Sequence, residues 1–246
     1  MTLLQWDLFQ KFRNSYKTYI DELTQGLPQL PAFLSQLIGG RLGPSYLLET
    51  PVVYNHALED IQKESIIKLI LVADNPGRRE QAAHEQRYLV GPAGKLAEGF
   101  FKKHPELGID FRQHVLILNK TPIHTPRTVE LRDLARLGGS EIEKAIRDSQ
   151  AAMARFIYQC HEIFSPGAEL WIIGYSEMGR GKLFETFTET LARLYTDKKQ
   201  KELYLYRHFS MNQFAIDFAK QVSAGESTQE TLHRIGDQYR RRLFGW

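Results

Sequence analysis

Four short stretches of this chain carry side chains able to exchange hydrogen bonds with a ligand. They are Asp74-Asn75-Pro76-Gly77 in LILVADNPGRRE, the NKTP that begins at Asn119, the YSEMG that begins at Tyr175, and the HFSMN that begins at His208. An asparagine amide offers a donor and an acceptor on one group, and a histidine ring offers either, according to its tautomer. Taken singly, each stretch reads as a strand running into a turn, because Asn, Pro and Gly are the residues turns are made of. Taken together they say more. If the apolar runs before them are parallel strands, all four open on one edge of a sheet, the carboxyl edge, where open α/β folds place ligand chemistry.

The elements that must position these groups are legible as alternating patterns. Strands are predicted over IIKLILVA (66–73), HVLILN (114–119), ELWIIGY (169–175) and ELYLYRH (202–208), the first three as near-continuous apolar runs of the kind covered on both faces. Between them GKLAEGFFKKH, GSEIEKAIRDSQAAMARFIYQCHEIF and GKLFETFTETLARLYT carry three-to-four-residue apolar spacing. Strand and helix in alternation predict an α/β fold, a three-layer α/β/α arrangement around a short central parallel sheet. Ahead of it, residues 1–60 predict an N-terminal helical extension, with Trp6, Phe9, Phe12, Tyr16, Tyr19 and Ile20 at core-facing helical spacing and breaks at GLPQLP and GGRLGP. Ser227 and Glu230 fit a capping box that opens a last helix over 227–244. The chain therefore reads as one domain, 1–246, with its motifs in a core spanning 66–214.

Bulk properties narrow the function classes. A formal charge of +3 permits a nucleic-acid partner without declaring one. Cys160 is the only cysteine, which excludes an intramolecular disulfide and any all-cysteine metal or iron-sulfur site, and its amphipathic setting predicts a buried thiol. His84, His104, His114, His124, His161 and His233 show no tight metal-ligand spacing and read as dispersed surface residues. GYSEMGRGK lacks the Gly-Lys-Ser/Thr ending of a phosphate-binding loop. No membrane-length apolar run and no secretory leader pattern are visible, so a membrane association is not expected and an intracellular, cytoplasmic location is.

In order and spacing, these motifs resemble the uracil-DNA glycosylase superfamily across residues 66–214. ADNPG is similar to its first motif in the Gly-x-Asn-Pro-Gly form of the single-strand-selective and mismatch-specific branches, with Ala73 in place of the leading glycine. RYLVGPAGKL resembles the Pro-Phe-Val-Gly-x-Ala-Gly-x-Leu stretch of the iron-sulfur branch, whose cysteines are absent here. VLILNKTP matches the strand whose terminal Asn reads the base, and RHFSMN stands where the superfamily carries His-Pro-Ser-Pro, keeping His and Ser and losing both prolines.

The resemblance implies a monofunctional glycosylase that flips uracil or a related base out of DNA and hydrolyses its N-glycosidic bond, with no metal and no cofactor. Asn75 would hold the attacking water and His208 would donate to the uracil oxygen that gathers charge; these are the implied catalytic residues. Asn119 would read the base, with Tyr88, Leu89 and Asp74 as the other implied base-binding residues. Leu89 falls where the stacking Phe is usual, with Tyr88 beside it, and Asp74 reads either as a turn residue or as a second polar group at the pocket mouth. Arg78, Lys95, Ser210, Met211 and Asn212 would face DNA, the usual wedge position falling on Asn212. The implied partner is single-stranded DNA or a mismatched duplex, bound by a monomer. The lost aromatic and the lost prolines support the alternative, a catalytically silent nucleic-acid- or base-binding protein that keeps the fold. Arg79, Arg127, the lysines of KKQK and Arg240 to Arg242 read as solvated charge, the last three as a cluster at the C-terminus of a helix.

Overall fold

The apolar runs become shorter strands than their sequence limits suggest. In the computed structural model they are β1 (Leu69–Ala73), β2 (Val115–Asn119), β3 (Glu169–Ile173) and β4 (Leu203–Tyr206). The structure describes residues 1–42, 46–195 and 198–246, without the side chains of 40–42 and 198–199. The end of the GGRLGP break, the Thr196 end of GKLFETFTETLARLYT and two side chains of the KKQK cluster therefore lie outside the described residues. Residues 66–68 stay outside β1, with Ile66 exposed, and β3 stops before Gly174, whose left-handed φ of 79° turns the chain out of the sheet. Arg207 and His208 have left β4 before the HFSMN loop begins.

All pairing in the sheet is parallel, in the order β2-β1-β3-β4. Every residue of β1 and β2 is buried, which accounts for the unbroken apolar runs: each fully buried Leu, Ile or Val contributes about 1.5–3 kcal/mol of transfer free energy. The register sets Ala73 beside Asn119, Val72 beside Ile172 and Ile173 beside Tyr206, so the four carboxyl ends are level.

Seven helices complete the described architecture: α1 (Leu3–Gly26), α2 (Leu30–Leu42), α3 (Pro92–Lys103), α4 (Glu130–Phe164), α5 (Glu185–Leu194), α6 (Gln213–Gln221) and α7 (Thr228–Phe244). α1, α2 and α5 pack on α4, and α7 lies along β4. On the face of the sheet that carries Trp171 and Tyr206, Phe101 of α3 and Phe214 of α6 close against those rings at centroid distances of 5.8 and 5.2 Å. The α/β class and the N-terminal helix are thus as the sequence predicts. Phe9, Phe12, Tyr16 and Ile20 of α1 are buried, while Trp6 and Tyr19 are only partly so. α4 begins earlier than GSEIEK suggests, because Gly139, at φ 65° and ψ −159°, joins two helical pieces across a kink. The Ser227–Glu230 capping box is present in both directions.

Two surface assignments need correction. Arg240 is buried: it donates to the carbonyls of Gln200 and Leu203 and pairs with Asp237, so it ties α7 to the sheet and does not share a solvated C-terminal cluster. His124 and His161 are fully buried, because each ring has hydroxyl or carbonyl partners inside the protein. Among the described residues no helix is long and apolar enough to cross a membrane, and no group of three or more His, Cys, Asp or Glu is placed to hold a metal ion.

Candidate active site at the carboxyl edge of the sheet

The end of β1 turns at Asp74-Asn75-Pro76-Gly77, and the side chains of this turn are held from below by the segment after β2. The Asn75 amide nitrogen donates to Thr125 Oγ1 at 2.9 Å and to the Ile123 carbonyl at 3.3 Å. A carbonyl only accepts, so these bonds fix which end of the amide is nitrogen and turn Oδ1 into the end that can receive a proton from another molecule. Pro76 is held by its own carbonyl, which accepts from His124 Nδ1 at 2.8 Å, while His124 Nε2 accepts from the Tyr46 hydroxyl at 2.8 Å. Burial pulls this imidazole down to about 4, so the ring is a neutral fixed strut under the turn.

Beside the turn, at the end of β2, lies Asn119. The residue is 1% exposed and its Nδ2 has no hydrogen-bond partner among the described residues. A buried donor left unpaired costs about 1–3 kcal/mol, so its persistence at a sheet edge needs an explanation.

His208 completes the edge from the end of β4. Its Nδ1 lies 3.0 Å from the Ser210 backbone nitrogen and 2.8 Å from Ser210 Oγ. A backbone N–H can only donate, so Nδ1 is the acceptor and the neutral ring carries its proton on Nε2. Desolvation lowers the imidazole below its ordinary value; Asp74 opposes that change and Lys120 adds to it. The carboxyl edge thus gathers an acceptor at Asn75, an unpaired buried donor at Asn119 and an Nε2–H donor at His208.

The residue between these groups is one that the sequence reading passed over. Lys120, the Lys of NKTP, is 0% exposed; its Nζ lies 2.5 Å from Asp74 Oδ1, 2.5 Å from the Ile173 carbonyl oxygen and 4.8 Å from the Phe184 ring centroid. Burial lowers its ammonium below the usual range, and Asp74 is the largest opposing influence. Asp74 sits in the turn after β1, and its carboxylate is the counter-ion of Lys120. Gly174 makes room for it, since a Cβ there would stand 2.5 Å from Asp74 Oδ1.

The remaining site candidates divide. Tyr88 is 1% exposed, with its hydroxyl bonded to Tyr16 at 2.9 Å and to the Val53 carbonyl at 2.6 Å, so its polar end is committed to α1 and the segment before β1. Leu89 is buried at a left-handed φ of 52°, its carbonyl seated where a Cβ on Gly94 would be and accepting from Arg112 Nη2. The GPAG of the second motif is thus read by close packing of backbone on the start of α3. Glu80 lies between the two motif loops: it accepts from the Gly77 N–H at 3.0 Å, and the backbone of Leu89 and Val90 favours its charged form.

Around the rim, Arg78 is exposed with its guanidinium 5.0 Å from the Tyr46 ring, and a cleft of about 230 Å³ beside it is lined by Arg79, Gln81 and His84. Lys95 is exposed in the first turn of α3. Ser210 and Asn212 are exposed beside Met211, which is 83% exposed, and both Met211 and Asn212 hold positive φ (53° and 57°). Without the two prolines the loop still makes a sharp turn, by placing two consecutive residues in the left-handed region.

Comparison with protein-family models, with curated proteins and with solved structures finds no match to this chain.

Proposed function

We propose that the carboxyl edge receives a base flipped out of DNA, and that this protein is a monofunctional DNA glycosylase releasing uracil or a related base by hydrolysis. The observation that carries the reading is Asn119: a buried amide whose Nδ2 has no partner in the described protein is suited to one supplied by a ligand. Uracil offers an acceptor and a donor on the edge an amide can pair with, and cytosine presents the reverse pattern. A buried site of this kind rejects the wrong base by leaving polar groups unpaired.

The other groups suit the chemistry. Breaking the bond from base to sugar leaves negative charge on the base, and a donor aimed at the oxygen that gathers it stabilises the transition state. The Nε2–H tautomer of His208 supplies such a donor. Asn75 Oδ1 would hold the attacking water by accepting from it, since the other end of the amide is already occupied. Lys120 is engaged and fully buried, so it offers no free amine to attack the sugar, in keeping with hydrolysis without a covalent intermediate. Arg78 and Lys95 would meet phosphates, and the exposed Met211, one residue before the usual wedge position at Asn212, is the apolar group able to fill the space a flipped base leaves.

A second reading, a silent base-binding protein of the same fold, is favoured by one observation: Tyr88 is committed to the core and Leu89 supplies no π-face to stack on a base. Uracil release from single-stranded and U:G duplex oligonucleotides, with folded protein in excess, decides between the two. Release that falls in Asn75→Ala and His208→Ala supports the glycosylase; salt-dependent binding without product supports the silent module; neither binding nor product rejects both.

A further inference from the structure

The buried pair Lys120–Asp74 joins three strand ends within one pair of bonds. Lys120 follows the last residue of β2, Asp74 follows β1, and the Ile173 carbonyl ends β3. The backbone repeats the tie, since the Lys120 N–H donates to the carbonyls of Ala73 and Asp74 at 2.9 and 3.0 Å. Asn75 and Asn119 are the immediate chain neighbours of the two charged residues, so any change in how Lys120 and Asp74 meet is passed through a single peptide unit to each amide. Both charges also act on His208, from the far side of β3.

We propose that Lys120 is a positioning residue of this edge: its ammonium, held by Asp74 and the Ile173 carbonyl, sets the spacing of Asn75 and Asn119 and the electrostatic field at His208. A pair that served only to fill space would be replaceable, because exchanging a buried ion pair for apolar groups of similar volume is commonly neutral or stabilising. What such an exchange would alter here is the field at the ring and the register of the amides. The consequence for catalysis rests on the glycosylase reading; the consequence for His208 does not.

The test is the titration of the His208 ring by NMR in the full chain, for wild type, Lys120→Met and the double variant Asp74→Asn/Lys120→Met. The charged groups acting on the ring are Asp74 from the end of β1 and Lys120 from the end of β2, with Glu177 after β3 acting on Lys120. Removing Lys120 alone takes away a charge that lowers the ring's midpoint and leaves Asp74, which raises it, so the midpoint is expected to rise. The double variant strands no buried charge and covers the case in which the single one does not fold. Its midpoint is expected to fall below that of wild type, because the upward pull of Asp74 is the larger of the two influences. An unchanged midpoint in whichever variant folds overturns the proposal, and that readout requires no enzymatic activity. Where wild type excises uracil, kcat in the folded variant is expected to drop about tenfold or more with KM less affected, and a wild-type kcat contradicts the proposal. Absence of excision by wild type together with a shifted His208 rejects the glycosylase reading and supports the role of Lys120.

Discussion

Glu80→Gln tests how the two motif loops are coupled, through pH. Glu80 is 7% exposed; its carboxyl accepts the Gly77 N–H of one loop, and the backbone of Leu89 and Val90 in the other favours its charged form. Burial nevertheless dominates and pushes the group from 4.5 up to about 7, with Arg112 a small opposing influence. The folded state therefore holds this proton more tightly than the unfolded chain does. The stabilisation that follows is complete below pH 4.5 and is lost as pH rises through 7. A gap of about 2.5 pH units corresponds to about 3 kcal/mol. Glutamine does not titrate, and its amide loses one acceptor oxygen, a pH-independent cost of about 1–3 kcal/mol. Urea unfolding of both proteins at pH 5, 6, 7 and 8 should then show the variant gaining on wild type by about 3 kcal/mol between the lowest and highest pH. Curves that run parallel within about 0.5 kcal/mol would refute the reasoning and place the Glu80 carboxyl in an environment no more costly to charge than water.

Gly174→Ala should lower stability by at least about 2 kcal/mol in thermal melting, since the residue sits at φ 79° and a Cβ would press on Asp74 Oδ1. Thr125→Val removes the best acceptor of the Asn75 amide while keeping its volume; a loss of about 1–2 kcal/mol in unfolding free energy is expected, with uracil release falling more than binding of the oligonucleotide. In Asn119→Asp a carboxyl group replaces the amide's unpaired donor, so uracil excision by the folded variant should fall by about 1–3 kcal/mol of transition-state stabilisation, read as kcat/KM, and the melting temperature should fall as well, because a carboxylate buried there has no partner. An unchanged uracil rate in the folded variant would remove Asn119 from base recognition.

The parts of the molecule that depend on local pattern were legible in the sequence. Leu69 to Ala73 and Val115 to Asn119 are buried on both faces, and an apolar run is the direct imprint of that environment. Ser227 and Glu230 make their cap within four residues. What was hidden depends on partners far away in the chain. Lys120 reads as a polar residue leaving a strand, and only Asp74, 46 residues before it, and the Ile173 carbonyl, 53 residues after it, make its burial affordable. Arg240 likewise reads as one of three arginines until the carbonyls of Gln200 and Leu203 fold onto it. The single available signal for Lys120 was that it comes one residue after the four apolar residues Val115 to Leu118 and precedes Thr-Pro, the place where the chain is still inside the domain. Tyr88 and Leu89 lie in a motif-like stretch whose role here is fixed by backbone conformation, the left-handed φ at Leu89 over Gly94, and residue type gives little notice of that.

The central claim, that the unpaired amide of Asn119 takes the edge of a pyrimidine, is tested most directly by following the Asn119 side-chain NH₂ and the His208 Nε2–H by ¹⁵N NMR while uracil is added to the wild-type protein. Saturable shifts of both with uracil, and neither with cytosine at the same concentration, are the expected result. Resonances of Asn119 and His208 that stay fixed through the uracil titration, or that move equally with both bases, would contradict the account.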